Sequence, residues 1–159
     1  MTVALYAGRF DPVTNGHLDI VERAAKIFDE VVIGVAYARS TIFTLEERID
    51  LLERSIDEAG VKNTRITSIS GLTVNEARAQ GAQVIVRGLR AGDFAYEFDM
   101  ALMNRHMAPD IESVYLMTSL DYLFVSATRI RELASFGRGV SEFVPECVND
   151  ALLKKFAQD

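Results

Sequence analysis

The chain has 159 residues of ordinary globular composition, so we expect one domain, spanning residues 1–159, around one hydrophobic core. The formal net charge of −6 argues against a nucleic-acid partner, which usually requires a basic face, and no apolar run approaches the ~20 residues of a membrane span. A single cysteine excludes an intrachain disulfide, and with only two distant histidines there is no zinc cluster to propose. The apolar N-terminus lacks the basic region of a signal peptide, so we expect a cytoplasmic protein.

The first half of the chain alternates between strands and helices. Residues 3–7 and 31–36 are apolar runs typical of strands buried in a parallel sheet. Between them, apolar residues recur at helical spacing over residues 18–28. Thr44 opens a second helix with a capping box, and Gly60 ends it.

The second half continues the alternation. We expect three further strands and four further helices, at residues 65–70, 83–86 and 113–117 and at residues 74–80, 93–106, 126–137 and 145 onward. Asp93 and Ser126 are suited to cap the helices that they open, and Pro145 fits a first helical turn.

Five strands alternating with helices predict an α/β fold. The specific expectation is a single-domain, doubly wound (Rossmann-like), five-stranded parallel sheet with helices on both faces. In such a sheet the active site lies at the C-terminal ends of the strands, near the switch in strand order.

The first polar segment, residues 8–17, connects the first strand to the first helix. A helix N-terminus at this point offers unpaired N–H groups and a positive potential to a phosphate. Gly16 leaves room for a close ligand, and His17 in the first turn can point at the same phosphate. A lone histidine more often caps a helix or packs against it, but the position beside Gly16 favours the phosphate.

The second polar segment, residues 87–90, follows a buried strand and carries Arg87 and Arg90. Unpaired charges are costly there unless they meet anions, and the forked guanidinium suits phosphate, so the segment predicts an anion site. The alternative is a pair of surface arginines bound to Asp93 or Glu97.

The third polar segment, residues 125–131, opens a late helix. Ser126 and Thr128 supply hydroxyls beside the N–H groups of the helix N-terminus, which could hold a triphosphate tail. Taken alone, simple capping with solvated arginines is the better interpretation of this segment.

Two familiar nucleotide-binding motifs are missing. The sequence has neither G-x-x-x-x-G-K-[ST] nor a G-x-G-x-x-G after the first strand. This argues against a P-loop ATPase and against an ordinary NAD enzyme.

Together the three segments resemble the nucleotidylyltransferase superfamily. Its T-x-G-H motif is matched by residues 14–17, and its I-S-S-T-x-I-R-like motif by residues 125–131. Within the superfamily, the chain is similar over nearly its whole length to the bacterial phosphopantetheine adenylyltransferases. The stretches that carry this more specific resemblance are residues 8–17, 43–48, 87–90, 93–97 and 103–106.

The resemblance implies an enzyme that reversibly transfers AMP from ATP to 4′-phosphopantetheine, giving dephospho-coenzyme A and pyrophosphate. This is the penultimate step of coenzyme A synthesis. The substrate's own phosphate attacks in line, so the protein needs no nucleophile and has only to hold two polyanions and stabilise developing charge. Family members use Mg²⁺ with ATP, are usually homohexamers and are inhibited by coenzyme A.

The match to the family also carries over individual site residues. His17 is expected to contact the ATP phosphates and stabilise the transition state, with Arg39 and Arg90 as further catalytic residues. The expected ATP site consists of Arg9, Phe10, His17, Gly88, Leu89, Arg90, Glu97, Tyr122, Leu123, Phe124, Val125, Ser126, Ala127 and Thr128. The expected phosphopantetheine site consists of Arg9, Arg39, Thr73 and Arg87. No side chain is expected to bind the metal directly.

The chain departs from the family pattern at several positions. Arg9 stands where Ser or Thr is usual, and Ala127 where Ser is usual. The loop of residues 37–42 is shorter than usual and places Arg39 about where a catalytic lysine is expected, and the loop after Arg90 is slightly shortened. An arginine keeps the charge but not the compact ammonium geometry. The resulting hypothesis is that Arg9 and Arg39 both reach phosphate and together replace the lysine.

Three other functions stay open at this point. A sister nucleotidylyltransferase acting on nicotinate mononucleotide or a phosphorylated alcohol is the nearest, although residues 87–97 argue against it. A non-catalytic ATP sensor would bind ATP without releasing pyrophosphate, and an NAD oxidoreductase would need the missing glycine fingerprint. Outside the site, Cys147 is expected to be a buried or half-buried small apolar residue, and His106 to belong to a helix surface or subunit contact.

Overall fold

The computed structural model describes residues 1–157 and has a five-stranded, all-parallel sheet at its centre. The strands are β1 (Val3–Gly8), β2 (Glu30–Ala36), β3 (Thr64–Ile69), β4 (Val84–Leu89) and β5 (Glu112–Met117). Their order is β3-β2-β1-β4-β5, so the direction of winding reverses between β1 and β4. A crevice is expected at this switch point, outside the carboxyl ends of the two strands.

Six helices among residues 1–157 surround the sheet. They are α1 (Asn15–Ala25), α2 (Leu45–Ala59), α3 (Thr73–Ala79), α4 (Phe94–Met107), α5 (Ala127–Ser135) and α6 (Glu146–Phe156). Short 3₁₀ turns at Ala91–Asp93 and Leu120–Tyr122 lead toward α4 and α5. No helix in the described part of the chain is long and apolar enough to cross a membrane.

The hydrophobic core lies on both faces of the sheet, because successive side chains of a strand point to opposite sides. In β1, Ala4 and Tyr6 join a cluster with residues of α1, α2, α5 and α6. Leu5 joins a second cluster on the other face, together with Val74 and Ala77 of α3. The expected doubly wound sheet with helices on both faces is therefore confirmed.

Local sequence signals set several helix ends as expected. The Thr44 hydroxyl accepts from the Glu47 N–H, the Glu47 carboxylate accepts from the Thr44 N–H, and Gly60 ends α2 with a left-handed φ of 74°. Ser126 caps α5 by accepting from the Arg129 N–H at 3.3 Å.

Three expectations about local structure were wrong. The strand expected to stop at residue 86 continues to Leu89, so Arg87 lies within β4 rather than after it. Asp93 stands at the N-cap position of α4, but its side chain makes no capping hydrogen bond, and its carboxylate accepts from Arg90 Nε at 2.8 Å instead. Finally, α1 ends at Ala25, and its buried side chains are Ile20, Val21 and Ala24. The helical pattern expected to run to residue 28 thus includes residues beyond the helix.

Candidate active site

A cleft opens at the switch point, where β1 and β4 end side by side. It is bounded by the β1–α1 loop, the end of β4, the start of α4 and the start of α5. The polar side chains that line it are Thr14, His17, Arg87, Arg90, Asp93, Glu97, Thr118 and Ser126, together with the tyrosines Tyr6 and Tyr122. Two helix N-termini, those of α1 and α5, meet the same cleft and add positive potential to that of the arginines. The cleft is therefore suited to an anionic ligand.

The imidazole of His17 is held by the N-terminus of its own helix. His17 Nδ1 accepts from the Thr14 N–H at 3.0 Å, and the Thr14 hydroxyl accepts from the His17 N–H at 3.3 Å. This is a capping box with histidine in the third position. Because Nδ1 accepts from a peptide N–H, the neutral ring carries its proton on Nε2. The ring can therefore offer Nε2–H as a donor to a group bound in the cleft.

The surroundings of His17 keep its ring neutral. Burial, together with the positive charge of Arg90, lowers the pKa of His17 from 6.5 to about 4. At neutral pH the side chain is thus an uncharged donor. His17 thus caps α1 through one nitrogen, as the alternative interpretation had it, and the same ring lines the cleft. Its contact with a phosphate stays a prediction.

Phe10 supports the His17 ring from the side. Its own ring is 2% exposed and makes edge-to-face contacts with His17, at 5.0 Å between centroids, and with Tyr6, at 5.3 Å. The Phe10 backbone has a left-handed φ of 49°, which costs about 1–2 kcal/mol for a residue with a Cβ. Such strain persists only where packing fixes it, and it clusters at functional sites.

Arg87 and Glu97 form a bidentate ion pair at the base of the cleft. Arg87 Nη2 donates to Glu97 Oε1 at 2.6 Å, and Arg87 Nε donates to Oε2 at 3.1 Å. Glu97 is buried at the start of α4, and Tyr115 Oη donates to its backbone carbonyl at 2.9 Å. Burial alone would lower the pKa of Arg87, but the hydrogen bonds and charge of Glu97 raise it, so the guanidinium is charged.

The ion pairs that the sequence offered as an alternative are thus present, with Arg87 bound to Glu97 and Arg90 bound to Asp93. The two arginines are nevertheless not simple surface residues, because both line the cleft. A guanidinium has five N–H donors, and each of these pairs uses only some of them. Donors therefore remain for a bound anion.

Gly88 has a packing role that the sequence did not reveal. A Cβ at this position would stand 3.1 Å from Ile20 Cγ1, closer than side chains ordinarily approach. The missing side chain lets α1 pack against the end of β4, which brings His17 and Arg87 to the same cleft.

The model of the cytidylyltransferase-like family matches residues 5–133 of the chain. A phosphopantetheine adenylyltransferase of Desulfitobacterium hafniense is 50% identical, with 98% of this chain and 96% of the relative covered. One of Heliobacterium modesticaldum is 46% identical, with 98% and 94% covered. The chain belongs to the phosphopantetheine adenylyltransferase family.

Solved structures of other adenylyltransferases share the fold. A bifunctional NMN adenylyltransferase/ADP ribose pyrophosphatase from Francisella tularensis has a TM-score of 0.77 at 18% identity, with 99% of this chain and 50% of that one covered. A putative nicotinate-nucleotide adenylyltransferase from Vibrio parahaemolyticus has a TM-score of 0.69 at 18% identity, with 96% and 99% covered. At this identity the likeness concerns the fold alone.

The cleft brings together more than half of the site residues that family resemblance predicted. Those that line it are Phe10, His17, Arg87, Gly88, Arg90, Glu97, Tyr122, Val125, Ser126 and Ala127. Sequence reasoning missed Tyr6 and Thr118, which also line it. Tyr6 lies within β1, two residues before its end, and Thr118 directly follows β5. Their position in the predicted sheet was the available signal.

Seven other predicted site residues lie outside the cleft lining. Leu123 and Phe124 line a neighbouring depression beyond Arg90, and Leu89 ends β4. Thr73 is the first residue of α3, and Thr128 is exposed on α5. The remaining two, Arg9 and Arg39, are exposed on the β1–α1 and β2–α2 loops. The roles of these seven, like those of the ten residues in the cleft, stay predictions.

Proposed function

We propose that the chain is a phosphopantetheine adenylyltransferase, which transfers AMP from ATP to 4′-phosphopantetheine and releases pyrophosphate. Membership of the family supports this substrate pair. The observation that carries the proposal is the set of donors that meet in one cleft: His17, Arg87, Arg90 and the N-termini of α1 and α5. Such a set suits two polyanions held side by side.

The chemistry is a direct displacement at phosphorus. An oxygen of the 4′-phosphate attacks the α-phosphorus of ATP, a new P–O bond forms, and the bond to pyrophosphate breaks, with no covalent enzyme intermediate. Negative charge shifts toward the leaving pyrophosphate. His17 donates Nε2–H to the phosphate chain, and Arg90 adds a positive charge close by. Removing one donor of this kind typically lowers kcat by roughly 10²–10³.

The Arg87–Glu97 pair suits the second substrate. Arg87 is assigned to the phosphate of phosphopantetheine, with Glu97 fixing the plane of its guanidinium before the substrate arrives. A preoriented donor loses less freedom on binding than a flexible one. Glu97 therefore positions Arg87 in addition to its predicted place at the ATP site.

Mg²⁺ is expected to be held by the phosphates of ATP. The two carboxylates that line the cleft, Asp93 and Glu97, each accept hydrogen bonds from an arginine. Within residues 1–157, no group of three or more His, Cys, Asp or Glu side chains is arranged to hold a metal. Asp93 and Glu97 are thus engaged by arginines, which fits an ion that arrives with the nucleotide. Such an ion would neutralise charge on the transferred and leaving phosphates.

We also propose that the enzyme works as a homohexamer in the cytoplasm, where ATP is supplied. Support comes from α4, a helix that exposes large apolar side chains along most of its length. Those at least half exposed are Phe94, Tyr96, Phe98, Leu102 and Met103. Exposed apolar area of this kind typically marks a protein interface. Coenzyme A, which contains both the phosphopantetheine arm and an adenine nucleotide, is proposed as a competing inhibitor.

The decisive experiment measures pyrophosphate release from ATP and Mg²⁺, with and without 4′-phosphopantetheine. We expect release that requires phosphopantetheine and that falls at least 10²-fold in His17→Ala. The control is Lys62→Ala, which removes an exposed side chain before β3, at the N-terminal ends of the strands and away from the cleft, and should leave the rate unchanged. Nicotinate mononucleotide is assayed in parallel. A preference for it would favour the sister activity, and ATP binding without any release would favour a sensor.

A further inference from the structure

Arg48 is a buried charge that does not line the cleft. It lies in the first turn of α2 and is 1% exposed. Its Nη1 donates to two backbone carbonyls, Arg9 O at 2.7 Å and Ala36 O at 2.8 Å. The first carbonyl belongs to the β1–α1 loop, and the second ends β2 just before the β2–α2 loop. One guanidinium nitrogen thus ties together the bases of both loops.

Asp11, in the β1–α1 loop, makes a second connection at the other end of the β2–α2 loop. Its carboxylate, 3% exposed, accepts from the Ile42 N–H at 3.0 Å and from the Phe43 N–H at 3.1 Å. Arg131 of α5 donates Nη1 to the Asp11 carbonyl at 2.7 Å. The β2–α2 loop is therefore fastened to the β1–α1 loop at both of its ends, and α5 is joined to the same point.

The burial of Arg48 is costly and calls for a physical reason. Taking a guanidinium out of water costs several kcal/mol unless hydrogen bonds offset the loss. Arg48 Nε has no hydrogen-bond partner among residues 1–157, so the compensation is incomplete. An apolar side chain of similar volume would fill the space without this penalty. Such an apolar side chain could not donate hydrogen bonds to the two backbone carbonyls, so it would not connect the two loops.

The two bridged loops carry the two arginines that depart from the family pattern. Arg9 supplies one bridged carbonyl itself, and Arg39 lies three residues after the other. Both side chains are exposed, so they are free of the packing that fixes a buried side chain. Their placement relative to each other depends on the contacts of Arg48 and Asp11 beneath them.

We propose that Arg48 is a positioning residue for nucleotidyl transfer: it holds the β1–α1 and β2–α2 loops in one arrangement, so that Arg9 and Arg39 act on the same phosphates. The inference rests on the proposed function. Arg48 touches neither substrate and acts only through the two loops.

The first test measures the loops without relying on activity. Amide hydrogen exchange is compared in wild type, Arg48→Met, Arg48→Lys and Arg54→Met, the last being an exposed arginine on the same helix. We expect exchange over residues 37–43 to accelerate by roughly tenfold or more in Arg48→Met, less in Arg48→Lys, and not in Arg54→Met. Unchanged exchange in well-folded Arg48 variants would overturn the proposal.

The second test separates positioning from general stability by a double-mutant cycle. Arg48→Lys is expected to lower kcat/KM by roughly tenfold to a hundredfold in the wild-type background. In the Arg9→Ala, Arg39→Ala background, Arg48→Lys should lower kcat/KM less than about threefold, because the two side chains that Arg48 positions are then absent. An equal loss in both backgrounds, or near-normal activity of the double alanine variant, would refute the proposal.

The two tests also separate this inference from the proposed function. If wild type releases no pyrophosphate with phosphopantetheine, the proposed function fails, whereas hydrogen exchange still decides whether Arg48 holds the loops. Should Arg48→Met fail to fold, Arg48→Lys retains the charge and a donor and serves both tests.

Discussion

The neutral state of His17 predicts how the stability of the folded protein depends on pH. The pKa of His17 is about 4 in the folded chain and 6.5 when the side chain is unperturbed. The unfolded chain therefore binds more protons between these values. The stability that depends on a neutral His17 is complete above about pH 6.5 and is lost as the pH falls toward 4.

The magnitude follows from the two pKa values. Between pH 7 and pH 5, titration of this one group lowers the free energy of unfolding by about 2 kcal/mol, and by about 3 kcal/mol once the pH is below 4. The ring is only half-buried, so screening by solvent makes these upper values. His17→Gln keeps a polar side chain of similar size but cannot titrate, and it should lack this part of the acid sensitivity.

The assay is urea unfolding of wild type and His17→Gln at pH 7 and pH 5, at one fixed protein concentration because assembly would add to the apparent stability. Wild type should lose about 1–2 kcal/mol more than the variant between the two pH values. Other titrating groups are common to both proteins and cancel, as does the pH-independent effect of the substitution. Equal losses would show that His17 titrates normally, and the description of a neutral donor would be wrong.

Two further predictions concern the cleft's packing and its ion pair. Gly88→Ala should destabilise the protein by about 1–3 kcal/mol in urea unfolding, because the new Cβ stands 3.1 Å from Ile20 Cγ1. Gly92→Ala, with no atom within 4 Å of the new Cβ, should change stability by less than about 0.5 kcal/mol, and similar effects of the two would contradict the packing argument. Glu97→Gln should raise the KM for phosphopantetheine by roughly tenfold, because one charged hydrogen-bond partner of Arg87 is lost. An unchanged KM would mean that Glu97 does not orient Arg87.

The features that sequence reasoning predicted well are those fixed by neighbouring residues. The capping box of Thr44 and Glu47 and the left-handed Gly60 depend on side chains and backbone within one turn. The alternation of apolar strands with helices likewise specified the doubly wound sheet, and hence the edge at which the site lies.

The features that sequence reasoning missed depend on residues distant in the chain. Arg48 occupies a position on the buried side of α2, in line with Leu51 and Leu52, but its charge argued for the surface. Only the two carbonyls from other segments explain its burial. Asp93 is of a residue type that commonly caps helices, yet its carboxylate accepts from Arg90 instead. Neither outcome follows from local propensity.

The capping contact of His17 also determines how freely its ring can turn. A rotation of the ring by 180° would move Nδ1 away from the Thr14 N–H and leave that peptide donor without its acceptor. The backbone thus takes the place of the carboxylate that orients the histidine of many hydrolases. A peptide N–H does not titrate in the physiological range, so the direction in which Nε2 points is independent of pH for as long as Nδ1 stays unprotonated, which holds above the His17 pKa of about 4.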